Sequence, residues 1–499
     1  MSLTEQAASE ASAGGDVPAD RGLAARIGLI AGPLVGLLVT FLLGGSELSP
    51  EGARTAGVAT VMAIWWATEA IPVAATAFLP IVLFPTLGVL PMEDTTSRYA
   101  HPVIYLFFGG FVVALAIERC GLHRRIALNM VRLTGTNGAA LVAGFMGAAA
   151  AISMWIANTS TTLMLVPIAL SMIAVVRDSM TGLTEKQARH FATALLLGVA
   201  YGATLGGVST LVGTPPNALM AGFMADEYGV QIDFSRWMLV GVPVALIMLP
   251  ITWLMLTKVM YKVNFKSTAD AKAHVDRLRS ELGPATTAER RIGMLFLFLV
   301  IGWVFRKPIS AALGIEGVTD TSVAMTAALL AFIIPAGSMP GRLMRWRDMK
   351  KLPWGVLILF GGGLALAAAM SESGLSAFIG AQLAPLSSVH LAILIVAATA
   401  MVILLTELTS NLATTATFLP VMAAIAMETG NDPLTFIIPI TLAASCAFML
   451  PVATAPNAIV FSTGAVTIPQ MMRAGLLLNL CGVVVLSIIA LTLAPMVFG

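Results

Sequence analysis

Charge is scarce in this sequence: Asp, Glu, Lys and Arg make up 11% of its 499 residues, whereas 58% are hydrophobic. That balance lies far outside soluble domains and places the chain in lipid; no nucleic-acid partner is expected. Cysteine is nearly absent. Cys120, Cys446 and Cys481 stand far apart inside apolar stretches, without the paired spacing of a metal or redox motif, and read as packing residues. The five histidines, His101, His123, His190, His274 and His390, never fall at the i, i+4 spacing of a helical metal site. No His/Cys/Asp constellation lies near the polar motifs described below, so an enzyme is not expected. Residues 1–25 have no apolar run and no basic start, which excludes a cleavable signal peptide and predicts a disordered cytoplasmic tail. Finally, no Lys or Arg occurs over residues 133–176, 190–235 or 352–472.

What the chain has in abundance is apolar runs. A spanning helix needs about 20 mostly apolar residues, and about eleven such segments fit along the sequence, with two further pairs that are too short or too polar to span. Basic residues between these segments set the orientation. One alternating assignment places 23 of the 28 Lys and Arg on one side, leaving Arg54, Arg98, Arg236, Arg306 and Lys307 opposite. The N-terminus is then cytoplasmic and the C-terminus outside, in the inner (plasma) membrane. The basic stretch 258–291 reads as an amphipathic interfacial arm on the cytoplasmic surface, with Thr286 and Glu289 as a capping box for the next span.

The chain also resembles itself. Gly121 pairs with Gly374, Asn158 with Asn411 and Pro167 with Pro420, each 253 residues apart. Val212-Gly-Thr-Pro-Pro-Asn-Ala-Leu219 then matches Val452-Ala-Thr-Ala-Pro-Asn-Ala-Ile459 at an offset of 240. Two copies of one unit are the economical explanation: a first repeat over 26–257 and a second over 292–499. The first copy is flanked by Arg-rich cytoplasmic loops and the second by a stretch with no basic residue, so the two enter from opposite sides. Inverted repeats with the site at their interface are a common architecture of secondary transporters.

Within each repeat a polar cluster interrupts an apolar segment: Ser153-Met-Trp-Ile-Ala-Asn-Thr-Ser-Thr-Thr162 in one and Thr406-Glu-Leu-Thr-Ser-Asn-Leu-Ala-Thr-Thr415 in the other. Polar groups in hydrocarbon are costly unless satisfied. These clusters read as the tips of two re-entrant hairpins, at about 139–177 and 388–428. Their half-helices meet at Asn158 and Asn411, favoured N-cap residues, and the free backbone N–H groups at such helix starts attract anions. The Pro-containing motifs break helices at about 190–225 and 433–463. Their freed carbonyls, with Asn, Ser and Thr oxygens, suit a small hard cation such as sodium. Because the basic-free intervals contain all four elements, a dianion held here must be balanced by helix dipoles and co-bound cations. Glu407 lies inside the second cluster, opposite Met154 in the first; it reads either as a coupling residue or as a hydrogen-bonded structural one. Glu69, Glu118 and Glu372 fall at span ends and read as interfacial residues.

At these residues the chain resembles the divalent anion/sodium symporter family, whose signature is a Ser-Asn-Thr triplet at each hairpin tip followed by a Thr-Pro element on a broken helix. The resemblance runs from about residue 25 to the end. It implies an all-α integral membrane protein with eleven spans and two re-entrant hairpins, working as a homodimer by elevator motion. It also implies two sodium sites: Ser153, Ala157, Asn158 and Gly213 for the first, and Thr406, Thr409, Asn411 and Ala453 for the second. The substrate carboxylates would lie against Asn158, Thr159, Ser410 and Asn411, near Thr214 and Thr454. Ala157 stands where the first triplet has Ser, Leu412 where the second has Thr, and Ala455 replaces a proline. The expected activity is sodium-coupled import of C4 dicarboxylates such as succinate, malate or fumarate. An obligate exchanger on the same fold is the alternative, and an anion channel, with polar residues spread along several spans, fits less well.

Overall fold

The structure is a computed structural model. It describes residues 22–498 except 136, 180–183, 264, 266–268, 384 and 386–387. Nearly all of the tail expected over 1–25 lies outside the described residues. The described chain is helical throughout, its only β-bridge joining Pro335 and Arg342. Lipid explains this, since helices satisfy every backbone group internally.

The chain opens with helix α1 (Leu23–Leu43), which packs on α2 (Pro50–Thr68). Gly28, Gly32 and Gly36 form the contact stripe. A methyl at Gly36 would sit 2.8 Å from the Gly57 carbonyl, so the small residues let two backbones meet. Leu34, Leu37 and Phe41 on the remaining surface of α1 are exposed, as lipid-facing residues are.

The first repeat then runs through α3 (Pro102–Cys120), α4 (Leu122–Thr134), α5 (Gly138–Ser153), α6 (Asn158–Ser179), α7 (Glu185–Gly207) and α8 (Pro215–Tyr228). Then follow α9 (Phe234–Leu254), within the bounds expected for the first repeat, α10 (Ala269–Glu281) in the expected arm, and α11 (Thr287–Leu313) and α12 (Asp320–Ile333), which lead into the second. The second repeat follows the same order in α13 (Trp354–Glu372), α14 (Leu375–Gln382), α15 (Leu391–Thr406), α16 (Asn411–Glu428), α17 (Pro433–Ala444) and α18 (Ala455–Ser462), and α19 (Ile468–Leu491) closes the chain. Gly121 and Gly374 turn the corner after α3 and α13 at φ values of 80° and 77°. Only glycine adopts that left-handed backbone without strain, which is why both copies keep it.

Among the described residues, eight helices are long and apolar enough to cross a membrane. Shorter apolar helices, among them α5, α12, α15 and α17, stop at 12 to 16 residues, three of them at a polar cluster or broken-helix motif. The chain is therefore a multi-pass membrane protein.

The repeats interlock: α18 packs against α6 and α7 of the first repeat, and α8 packs against α13 and α16 of the second. Around them, α10 docks on α4 and on the hairpin arm α6. His274 of α10, buried, lies 2.8 Å from the Ser171 hydroxyl, and Arg132 pairs with Asp276 at 3.0 Å. The expected capping box is present, with the Thr286 hydroxyl accepting from Glu289 N–H and Glu289 accepting from Thr286 N–H. Thr286→Ala is expected to cost about 1 kcal/mol, measurable as a lower melting temperature in detergent.

Candidate functional site

Each polar cluster leaves a short gap between two helices: residues 154–157 between α5 and α6, and residues 407–410 between α15 and α16. The last residue before each gap turns its hydroxyl across it. Ser153 Oγ donates to Asn158 Oδ1, and Thr406 Oγ1 donates to Asn411 Oδ1 at 2.8 Å. Behind each Asn, Thr162 and Thr415 donate back to the carbonyls of Asn158 and Asn411, both at 2.8 Å. The same string of residues thus makes the same bonds twice.

One detail departs from expectation. Asn411 is the first residue inside its helix, with Ser410 at the cap position and no side-chain cap bond. Its side chain is already engaged by Thr406, and that of Asn158 by Ser153, so neither is spent on capping. The N–H groups of the first helical turns keep their reach toward an anion.

The broken helices complete the site. After α7 the chain unwinds over residues 208–214, and after α17 over 445–454. Thr214 and Thr454 end these gaps in matching extended conformations, with φ, ψ of −143°, 140° and −144°, 151°. Proline or alanine then starts α8 and α18, positions where a missing N–H costs nothing. Asn217 and Asn457 carry the Asn oxygens of these motifs; their amide nitrogens brace the gaps, and Asn217 Oδ1 and Asn457 Oδ1 are buried with no hydrogen-bond partner among the described residues. Asn217 Nδ2 donates to the carbonyls of Val208 and Thr210, and Asn457 Nδ2 to those of Ala447 and Leu450, at 2.8 to 3.2 Å. Several freed carbonyls are therefore consumed in bracing the gap. Asn457→Ala removes this donor from the Ala447 carbonyl and leaves the Leu450 carbonyl with Ala453 N–H alone, and is expected to destabilise by about 1–3 kcal/mol, read as a lower melting temperature with sodium absent.

Glu407 is the residue the sequence left open between two roles. Buried at 4% exposure, its carboxylate accepts from the N–H groups of Phe448, Met449 and Leu450 and from Asn479 Nδ2, at 2.7 to 3.1 Å. It ties the second hairpin to the second gap and to α19. In the first repeat the link is neutral: Thr210 Oγ1 donates to the carbonyl of Met154 at 2.5 Å. The signal in sequence was the unpaired acid itself; its partners, Asn479 among them, carried none.

The structure brings the expected residues together in two oxygen-lined sets. In the first, Ser153 and Asn158 face the gap that ends at Gly213: an added methyl on Gly207 would lie 2.7 Å from Asn158 Oδ1 and 2.9 Å from the Gly213 carbonyl. Ala157 has only its carbonyl to offer, which also accepts from Thr161 N–H. In the second, Thr406 Oγ1 also lies 2.7 Å from the Ala444 carbonyl, which shares the one hydroxyl hydrogen with Asn411 Oδ1, and Ala453 is buried. Thr409 is a partial departure, since its hydroxyl is engaged by the Leu405 carbonyl and by Thr414, leaving its own carbonyl for any ion. All these donors are neutral oxygens, the set that suits a hard monovalent cation. The two sets adjoin, because the Thr214 and Ser445 hydroxyls meet at 3.4 Å across the repeat boundary. Of the residues assigned to the substrate, Asn158, Thr159, Ser410, Asn411 and Thr454 are half-buried and Thr214 is buried, as are Ser153 and Thr406. Leu412 is buried in the hairpin, so this departure from the triplet adds packing.

Helices long and apolar enough to span, with matched polar clusters interrupting apolar segments, define a multi-pass membrane protein. The chain belongs to the family described as the sodium:sulfate symporter transmembrane region, which matches residues 24–499. Among curated proteins it is similar to the sodium-dependent dicarboxylate transporter SdcS of Staphylococcus saprophyticus, 37% identical over 477 residues, 95% of this chain and 92% of that one. The protein of the same name from Staphylococcus aureus strain bovine RF122 is 38% identical over the same shares. Among solved structures the fold is similar to the YdaH transporter of Alcanivorax borkumensis, with a TM-score of 0.54 at 15% identity over 79% of this chain and 86% of that one. MtrF of Neisseria gonorrhoeae gives the same TM-score at 12% identity, over 91% and 97%.

Proposed function

We propose that this protein is a sodium-coupled symporter that imports C4 dicarboxylates such as succinate, malate or fumarate, holding the dianion between the two hairpin tips. The observation that carries this reading is the pair of matched oxygen-lined gaps, each beside the open start of a helix, in a region of sequence without Lys or Arg. A dianion placed there has no guanidinium to meet. Two sodium ions, one held by Ser153, Ala157, Asn158 and Gly213 and the other by Thr406, Thr409, Asn411 and Ala453, would supply the balancing charge. At 4 Å each opposite pair attracts by about 4 kcal/mol in a medium of effective dielectric 20. Substrate affinity then depends on bound sodium, and the sodium gradient drives uptake. The relatives named as sodium-dependent dicarboxylate transporters support both the ion and the substrate class.

Elevator motion is supported by an asymmetry between matched residues. Val212 is 6% exposed and Val452 is 82% exposed. Trp155 at the first tip stacks on Phe234 and Trp303, whereas Leu408 at the second tip is 70% exposed. One end of the repeat pair leans on its surroundings and the other stands free. Exchange of those roles by a rigid movement of the hairpins would give alternating access. The inverted arrangement of the repeats, a homodimer in the plasma membrane and a cytoplasmic N-terminus complete the proposal.

The test is uptake of labelled succinate into proteoliposomes under an inward sodium gradient, compared with potassium, with and without succinate trapped inside. Sodium-dependent uptake into empty vesicles is the expected result. Uptake into preloaded vesicles alone, indifferent to sodium, would replace the symporter with an exchanger.

A further inference from the structure

Gly207 belongs to neither of the motif sets assigned above, yet its Cα faces the first of them. It ends α7 with an ordinary helical backbone, without the positive φ that reserves a position for glycine. Space is the remaining reason for a glycine here. A Cβ at Gly207 would lie 2.7 Å from Asn158 Oδ1, 2.9 Å from the Gly213 carbonyl oxygen and 3.2 Å from Asn158 Nδ2. The missing methyl is thus a small volume bordered by the Asn158 amide group of the hairpin tip and the Gly213 carbonyl of the helix break. Both oxygens stand a few tenths of an ångström beyond the oxygen distances of calcium, about 2.3–2.6 Å, an ion of nearly the same size as sodium, so there is room for an ion between them.

Its neighbour Gly213 has a different reason to be glycine. A Cβ there would strike the backbone of Gly207, 2.3 Å from its carbonyl oxygen. Gly213 is required by backbone packing, whereas a methyl on Gly207 would meet both the Gly213 backbone and the Asn158 side chain at the hairpin tip. At the matching positions of the second repeat stand Ala447 and Ala453. The second site tolerates methyls because it is closed by another route, the bond from Thr406 Oγ1 to the Ala444 carbonyl.

We infer that Gly207 sets the width of the first sodium site: the absent side chain leaves the oxygens of Asn158 and Gly213 open to an ion, and alanine here closes that site while sparing the second. This rests on the sodium reading proposed above. The two sites are then unequal, the first limited by backbone approach and the second by hydroxyl side chains.

The experiment is a titration of the melting temperature of the purified full chain with sodium chloride, at ionic strength held constant with choline chloride. An ion that binds only the folded state raises stability with its concentration relative to its Kd. The wild type is expected to rise with an apparent Hill coefficient near 2. Gly207→Ala is expected to keep about half of the sodium-induced shift, with a coefficient near 1. Gly147→Ala, in the same hairpin with nothing within 4 Å of the added Cβ, is expected to match the wild type. An undiminished sodium shift in Gly207→Ala overturns the role of Gly207 while leaving the sodium reading standing. A wild type indifferent to sodium takes down both. If Gly207→Ala does not yield folded protein, ion size in the wild type provides the test. Stabilisation by lithium and sodium but not by potassium is expected, and a potassium shift equal to that of sodium overturns the inference.

Discussion

Replacing Asn158 or Asn411 by alanine is expected to lower sodium-driven succinate uptake by at least about 100-fold while leaving the amount of membrane-inserted protein unchanged. In the proposed site each Asn would offer its side-chain oxygen to the ion and its side-chain N–H to a substrate carboxylate, and each is held in place by one hydroxyl, from Ser153 or Thr406. Hydrogen bonds to charged groups contribute about 1.5–3 kcal/mol apiece. Two such interactions lost at once come to roughly 3–6 kcal/mol, at 1.4 kcal/mol per tenfold. Insertion is preserved because alanine suits a membrane helix and the neighbouring bonds from Thr162 and Thr415 reach backbone carbonyls, which the substitutions retain. Uptake would be measured in proteoliposomes and protein by immunoblot. Sodium-dependent transport retained in both variants would remove the hairpin tips from the mechanism.

Glu407→Gln is expected to lower stability by about 3–5 kcal/mol and to abolish transport. Every polar neighbour of this carboxylate is a donor: three backbone N–H groups and the Asn479 amide. An amide in its place presents one acceptor and turns two further N–H donors against those already there. The gap at 445–454 would lose its anchor, and with it the position of Ala453. Thermal melting with sodium absent separates the two roles that the sequence allowed. An anchoring Glu407 lowers the melting temperature even without sodium, whereas a residue that serves only the ion leaves the sodium-free value unchanged and weakens the sodium response. The latter outcome would sink the anchoring role.

The tips were readable because their chemistry is repeated. A polar string occurring twice at one offset in hydrocarbon has few packing explanations, and the structure gives Ser153 and Asn158 the same bond as Thr406 and Asn411. Asn217 and Asn457 were visible by the same repetition, but the bracing by their amide nitrogens was not. An Asn side chain is both donor and acceptor, and which end faces the helix break depends on where carbonyls 208, 210, 447 and 450 lie. Glycines are the hardest to read: Gly207 and Gly213, six residues apart, differ only in what an added methyl would meet.

The sequence by itself determined that this is a membrane protein, that a polar string and a helix-breaking motif each recur at a fixed offset, and where polar residues interrupt the apolar segments. Those properties are local: hydropathy, recurrence and helix-breaking chemistry are carried by neighbouring residues along the chain. The tertiary structure decided what the polar groups do. It spent the amides of Asn217 and Asn457 on bracing, pinned Glu407 against a gap 41 to 43 residues away, and set Thr214 against Ser445 across 231 residues. It also left Val452 exposed where Val212 is covered. Hydrogen-bond partners and exposure depend on which helices pack together, and two repeats of similar sequence acquire different surroundings once they interlock.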